Sequence, residues 1–223
     1  MKAVVLISAN AEWRAVKEIV SPAQVFESPY GEYFDLETAT FFHGGWGKIS
    51  AAATAQYVID HWKPDLLVNL GTCGGFAGRI PRGTILLVER TIVYDIVEQM
   101  SDADEAIAYY STGLDLTWLK PPYPLPVQPG LLISADRDIV VEDIPRLIEK
   151  YAAVAADWES GAIAWTSQRN GVRCLILRGV TDLVSPAGGE AYGNIALFHE
   201  NTKKVMKSLV DNLPGWLECA RRS

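Results

Sequence analysis

The sequence predicts an α/β protein in which a mostly parallel or mixed sheet is covered by helices on both faces. Apolar, β-branched runs of strand length alternate along the chain with stretches whose apolar residues recur at helical spacing. The 223 residues fit one sizeable domain, 1–223, large enough to bury a substantial core. A hydrophobic fraction of 49% beside a charged fraction of 21% is that of a globular chain, so disorder is not expected.

The elements follow in order. "KAVVLIS" is a continuous apolar run of buried-strand length, and "AEWRAVKEIV" carries apolar residues at helical spacing. "TATFFHGG" reads as a strand and "GKISAAATAQYVIDHW" as an Ala-rich helix. "PDLLVNLGTCGGFAG" reads as a buried strand running into a Gly-rich loop. "GTILLVERTIVYDI" is a long strand. The Pro-rich "LKPPYPLPVQPG" is expected to be a surface connection, because proline cannot serve a central ladder. "LLISAD" (strand), "EDIPRLIEKYAA" (helix), "AAVAAD" (short strand) and "ESGAIAWTSQRNG" (helix closed by Gly171) come next. "VRCLILRGVTD" (strand) and "NIALFHENTKKVMKSLVDNL" (helix) complete the chain.

Charge and cysteine content narrow the class. A net charge of −7 without a Lys/Arg cluster speaks against a nucleic-acid or anionic-membrane surface, since phosphate binding is mostly cationic neutralisation. A small-molecule ligand fits better. Cys73, Cys174 and Cys219 are widely spaced and lie in no CxxC pattern, and His43, His61 and His199 form no metal-like spacing; neither a disulfide framework nor a metal site is expected. No organic cofactor motif is present either, because "GTCGG" matches neither GxxxxGK[ST] nor GxGxxG. The N-terminal apolar run is too short for a signal peptide and no run of about 18 apolar residues exists, which fits a cytoplasmic protein.

Ligands of open α/β sheets bind beyond the carboxyl ends of strands. That rule selects "SANAE", "HGGWGK", "GTCGGF", "SADRD", "DWES" and "RGVTD", where most of the unusual polar residues sit. Read alone, Glu12 fits either a carboxylate at a helix start, favoured by the macrodipole, or a general base. "GTCGG" fits either a tight turn or a backbone N–H site. Asp182 fits either a turn cap or an acid whose proton affinity is raised by burial, with Thr181 beside it and Arg178 four residues before. In "AADWESGAIAW", Asp157 and Glu159 flank Trp158 among apolar residues, where a carboxylate is costly unless paired or used. Trp158 itself fits either the core or a ligand face. Ser8, Ser134 and Ser160 lack a GxSxG setting, so a serine hydrolase is not expected.

Six segments, "SANAE", "HGGWGKISAA", "NLGTCGGF", "ISADRDIV", "DWESGAIA" and "RGVTD", occur in the order and spacing of the nucleoside phosphorylase/nucleosidase superfamily. Within it the chain resembles the 5′-methylthioadenosine/S-adenosylhomocysteine nucleosidases, over residues 1 to about 212. The resemblance implies a central mixed sheet that closes partly into a barrel, a homodimer, and hydrolysis of the N-glycosidic bond of an adenine nucleoside without a cofactor. It implies that Glu12 activates water, Glu159 binds the ribose hydroxyls, Asp182 protonates N7 of the leaving base and Arg178 supports the ribose site. Thr72, Gly74, Trp158, Ile139 and Thr181 fall in the same motifs and complete the expected substrate-binding set. Such chemistry needs negative charge near an oxocarbenium-like sugar and a proton for the purine.

Two alternatives accompany this expectation. A phosphorylase would need cations for phosphate. The superfamily's hexameric phosphorylases place arginines in the first loop and before the glycine turn, where this chain has Glu12 and Asn69, although Arg14 and Arg137 lie nearby in sequence. A non-catalytic nucleoside-binding protein would not need both a base and an acid. The chain departs from the family at Trp158, where methionine usually packs under the ribose, and at Arg137 and Asp138, near the usual adenine-stacking aromatic. Segments 120–129 and 184–199 are expected to line or cover the pocket for the 5′ group.

Overall fold

A computed structural model describes residues 1–222. The first half of the chain comprises β1 (Ala3–Ile7), α1 (Asn10–Val20), β2 (Phe26–Ser28), β3 (Gly31–Asp35), β4 (Thr40–His43), α2 (Gly47–Trp62), β5 (Leu66–Phe76) and β6 (Ile85–Val93). Then come α3 (Ala103–Tyr109), β7 (Ser111–Gly113), β8 (Gln128–Ser134), a 3-10 turn (Val141–Asp143), α4 (Ile144–Tyr151) and β9 (Ala155–Asp157). The chain ends with α5 (Ser160–Arg169), β10 (Arg173–Ser185), β11 (Gly188–Gly189) and α6 (Ile195–Arg221).

Among the described residues, all eleven strands belong to one sheet ordered β11-β10-β6-β8-β9-β5-β1-β4-β3-β2, with β7 on β6. Because β5 also pairs with β10, strands β10, β6, β8, β9 and β5 close into a five-stranded barrel, and β1 to β4 extend from it. The expected mixed, partly barrel-like sheet flanked by helices is the one observed. Alternate residues of β1, β5 and β10 face opposite ways, as the period-2 rule requires. Val5, Val68, Leu175 and Leu177 join a cluster with Val16 of α1 and Leu209 and Trp216 of α6. Val4, Leu67 and Ile176 pack with Ala55 of α2 and Ile163 of α5. Helices therefore cover both faces, and among the described residues no helix is long and apolar enough to cross a membrane.

Three local expectations are corrected. "GTCGG" is no turn: Gly71, Thr72, Cys73, Gly74 and Gly75 are all inside β5, in register with β10, and none of these glycines has a positive φ. The Pro-rich segment 120–129 does not line the site. It packs at the opposite end of β8, where Tyr123 stacks on Trp216 and Pro124 sits where a Cβ on Gly215 would be; the six steps from Gln128 to Ser134 are ~20 Å of strand. Pro129 is even a strand residue, opposite Leu87, and is tolerated because β9 pairs with β8 only from Leu132 onward. The last helix continues to Arg221 through Pro214 and Gly215, held by that same Pro-rich segment.

The seam between β10 and α6 tolerates no side chain at residue 179. A Cβ on Gly179 would lie 2.2 Å from Cγ1 of Val205. Gly179→Ala should destabilise the protein by about 1–3 kcal/mol through overpacking, read as a lower midpoint in urea unfolding at unchanged slope.

Candidate active site

The site is built where β5 and β10 run side by side. Their register sets Gly71 opposite Arg178 and Gly74 opposite Asp182. A Cβ on Gly71 would fall 1.7 Å from Nη1 of Arg178 and 2.9 Å from Oε1 of Glu12, so the missing side chain is the passage through which the guanidinium reaches its partners. Arg178 is fully buried. Its Nε donates to Ser160 Oγ (2.8 Å) and its Nη2 to Asn69 Oδ1 (2.7 Å), while Nη2 lies 2.9 Å from Asp157 Oδ2 and Nη1 lies 3.9 Å from Glu12 Oε1. Asn69 is itself fixed, donating from Nδ2 to the Leu6 carbonyl at 3.0 Å.

Glu12 sits in the first turn of α1, buried rather than solvated. Its Oε1 accepts from the Thr72 N–H (2.6 Å) and hydroxyl (2.8 Å), and its Oε2 accepts from the Ala9 N–H (3.2 Å). Thr72 thus orients this carboxylate. Asp157, at the end of β9, accepts from Ser134 Oγ (2.6 Å) and from the Ser160 hydroxyl and N–H. It carries the start of α5, and with it Glu159. Among the described residues, Glu159 alone of the three carboxylates near the guanidinium makes no ion pair with it; it accepts the Gly47 N–H at 3.1 Å from the start of α2.

Burial pushes the Glu159 carboxyl up to about 8. The Asp157 charge adds to this and Glu12 contributes in the same direction, while Arg178 and the Gly47 N–H oppose it. Three carboxylates around one guanidinium leave a surplus of negative charge, and Glu159 is where it is relieved by a proton. For Arg178, burial disfavours the charged form, yet Asp157, Glu12 and Glu159 hold its proton affinity above the ordinary value.

The second acid lies farther along the same strands. From Gly71 to Gly74 is about 10 Å of extended chain. Asp182 is buried, and desolvation raises its proton affinity, against the Thr181 hydroxyl, which donates to Oδ1 at 2.7 Å. A bulge between Val180 and Asp182 leaves Thr181 out of register and turns it to this task. Ile139 faces the same space: its Cδ1 lies 3.0 Å from where a Cβ on Gly74 would be, and Asp182 Oδ2 lies 4.0 Å from that point. Its carbonyl accepts from the Tyr192 hydroxyl at 2.8 Å, so segment 184–199 does border the site. Trp158 is half-buried at the rim, its ring 6.4 Å from the exposed ring of Trp46. Arg137 pairs with Asp143 and lies over the Tyr94 ring, and Asp138 is exposed.

The fold brings Glu12, Thr72, Glu159 and Arg178 into one cluster, and Gly74, Ile139, Thr181 and Asp182 into another beside it. Sequence reasoning missed the parts joining them: Asn69 as a partner of Arg178, Ser134 and Ser160 as partners of Asp157, the Gly47 N–H, and Trp46. The flanking of Trp158 by two carboxylates was the one available signal, and it marked Asp157 as well as Glu159. Among the described residues no group of His, Cys, Asp and Glu is arranged to hold a metal ion.

Residues 29–213 match the family model of the phosphorylase superfamily. A 5′-methylthioadenosine/S-adenosylhomocysteine nucleosidase from Maridesulfovibrio salexigens is 29% identical over 174 residues, covering 72% of this chain and 74% of that protein. The corresponding nucleosidase of Buchnera aphidicola subsp. Acyrthosiphon pisum is 21% identical, covering 96% and 99%. Among solved structures, a Helicobacter pylori nucleosidase variant with 5′-methylthioadenosine in its active site superposes with a TM-score of 0.78 at 15% identity, covering 97% of this chain and 98% of that one.

The proton held by Glu159 has a consequence for stability. A carboxyl raised in the folded state contributes stability that is fully present below its unfolded value, 4.5, and is lost as pH rises through about 8. Glu159→Gln keeps the shape without the ionisation, so it should match the wild type at pH 4 and exceed it at pH 9. The gain should be on the order of a few kcal/mol, checked by urea unfolding at both pH values.

Proposed function

The chain belongs to the phosphorylase superfamily, and from that premise we propose that it hydrolyses the N-glycosidic bond of a 5′-substituted adenine nucleoside, 5′-methylthioadenosine or S-adenosylhomocysteine, releasing adenine. The observation that carries this reading is a division of labour along one pair of strands. At one end Asp182 is an acid whose proton affinity is raised by burial; at the other, Glu12 and Glu159 flank a guanidinium also held by Ser160, Asn69 and Asp157.

The chemistry follows from this arrangement. As the C1′–N9 bond breaks, electrons flow to the purine and positive charge develops on the sugar. Asp182 delivers its proton to N7, so the base leaves neutral. Glu12, aimed by Thr72, takes a proton from the water whose oxygen bonds to C1′, and Glu159 holds the ribose hydroxyls next to that carbon. Positive charge on the sugar favours the ionised forms of both glutamates. Thr181 keeps Asp182 in place, and Trp158 offers a flat apolar face at the rim.

Water is favoured over phosphate because the nearby arginines are either committed to other partners or turned outward. Phosphate needs charge-assisted donors. Arg178 gives its own to Ser160, Asn69 and Asp157; Arg14 is exposed on α1, and Arg137 is paired with Asp143. The purified protein should therefore release adenine from 5′-methylthioadenosine in phosphate-free buffer, with added phosphate giving no stimulation. Asp182→Asn and Glu12→Gln should each lower kcat by about 10²-fold or more while circular dichroism stays native. Strict dependence on phosphate, or near-native rates in either variant, overturns the assignment.

A homodimer belongs to the same reading. Trp46 and Ile49 at the start of α2, next to the Gly47 that reaches Glu159, and Val97 and Met100 after β6 are large exposed apolar side chains, as interfaces commonly carry. Light scattering should give twice the 24.5 kDa chain mass, and Ile49→Lys with Met100→Lys should halve it.

A further inference from the structure

Beside the carboxylate cluster lies a set of ions that the proposed chemistry leaves unused. Lys48, the second residue of α2, reaches with Nζ to Asp95 just beyond β6 and to Asp136 just beyond β8, the latter at 3.7 Å. Asp136 Oδ1 accepts the Lys48 backbone N–H at 2.8 Å, and the Asp136 N–H donates to Asp95 Oδ2 at 2.9 Å. The ends of two barrel strands are thereby tied to the first turn of α2. The residue between this tie and Glu159 is Gly47, with φ of +75°. A Cβ there would lie 2.8 Å from Asp136 Oδ1, so the carboxylate packs directly on the glycine whose N–H is given to Glu159.

We propose that Lys48, Asp95 and Asp136 form a latch that positions Glu159, holding the start of α2 against the barrel so that the Gly47 N–H stays aimed at the Glu159 carboxylate. The functional side of this rests on the proposed nucleosidase reading; the geometric side does not. The groups facing Glu159 come from every element around it: Glu12 of α1, the Gly47 N–H of α2, Asp157 of β9 and Arg178 of β10. Two are like charges and one is a guanidinium committed elsewhere. The Gly47 N–H is therefore the one neutral donor that favours the ionised form, and it also fixes which oxygen remains for the sugar. Without the latch, the α2 start is free to draw back, the carboxyl keeps its proton to higher pH, and its aim is lost.

The test reads the Glu159 carboxyl itself, by carbon NMR of protein carrying ¹³Cδ-glutamate, with Glu159→Gln assigning the signal. Asp136→Ala should move the titration midpoint of Glu159 upward. Its kcat/KM for 5′-methylthioadenosine should fall about ten- to a hundredfold, mainly through KM, with the acid limb of the pH profile displaced the same way. Asp136→Asn, whose Oδ1 still accepts the Lys48 N–H, should stay near the wild type. Lys48→Met removes the ion pairs but no backbone bond, so it should shift the midpoint upward by less, and it decides the question should Asp136→Ala fail to fold. A wild-type midpoint in Asp136→Ala, or in Lys48→Met should Asp136→Ala fail to fold, overturns the latch. A shifted midpoint in a protein that cleaves no nucleoside upholds the latch and overturns the nucleosidase reading.

Discussion

A guanidinium with no access to water has to be surrounded by acceptors, and much of the site's architecture answers that demand at Arg178. Desolvating such a charge costs several kcal/mol, and loss of one partner would leave a buried charge unbalanced. The requirement fixes residues from five parts of the chain at once: Glu12 on α1, Asn69 and Gly71 on β5, Asp157 at the end of β9, Ser160 opening α5, and Arg178 on β10. It also ties the barrel's closure to the site, since the β5–β10 pairing that closes the ring is the register that sets Gly71 under the arginine.

One positive charge among three carboxylates is an uneven match, and its geometry decides which of them yields. Asp157 and Glu12 lie against the guanidinium and each accepts further donors, whereas Glu159 has a single backbone N–H. The proton therefore resides on Glu159 near neutral pH. On the proposed reading this is a poised state. A cationic sugar arriving beside Glu159 supplies the missing positive charge and favours the carboxylate, so the site's complementarity to a developing cation is greater than its complementarity to a neutral nucleoside.

Periodicity made the sheet legible where strands are buried on both faces. Residues 3–7 of "KAVVLIS" and 174–177 of "VRCLILRGVTD" are continuously apolar, as strands under two helical layers must be. It could not reveal β2 and β3, whose half-buried residues carry no continuous apolar run, or β7 and β11, which are too short to show a period. "GTCGG" misled because glycine serves two ends: it permits turns, and it permits close approach inside a strand. Here Gly71 and Gly74 serve the second, and only the position of Arg178 and Ile139 distinguishes the two. Pro214 in α6 misled for a parallel reason, since local propensity yields to the packing of Gly215 against Pro124. The site's acids were legible because carboxylates in apolar segments demand partners. Asn69, Ser134 and Ser160 were not, because small polar residues at strand ends and helix starts are common and nothing in their spacing names a distant arginine.

The choice between water and phosphate illustrates what a residue's neighbours add to its identity. Counting arginines near the motifs leaves Arg14, Arg137 and Arg178 all available to an anion. Geometry removes them in three different ways: Arg14 lies on the exposed side of its helix, Arg137 is neutralised by Asp143, and Arg178 is buried, with Nε and Nη2 given to Ser160, Asn69 and Asp157 and Nη1 facing Glu12. A phosphate dianion entering this cluster would meet Glu12, Asp157 and Glu159 against a single guanidinium already paired with two of them. An uncharged water pays no such repulsion and finds in Glu12 an acceptor already oriented by two donors from Thr72. On the proposed reading, the glutamate in the first helical turn thus acts on the acceptor twice, as the base that water needs and as the charge that excludes its competitor.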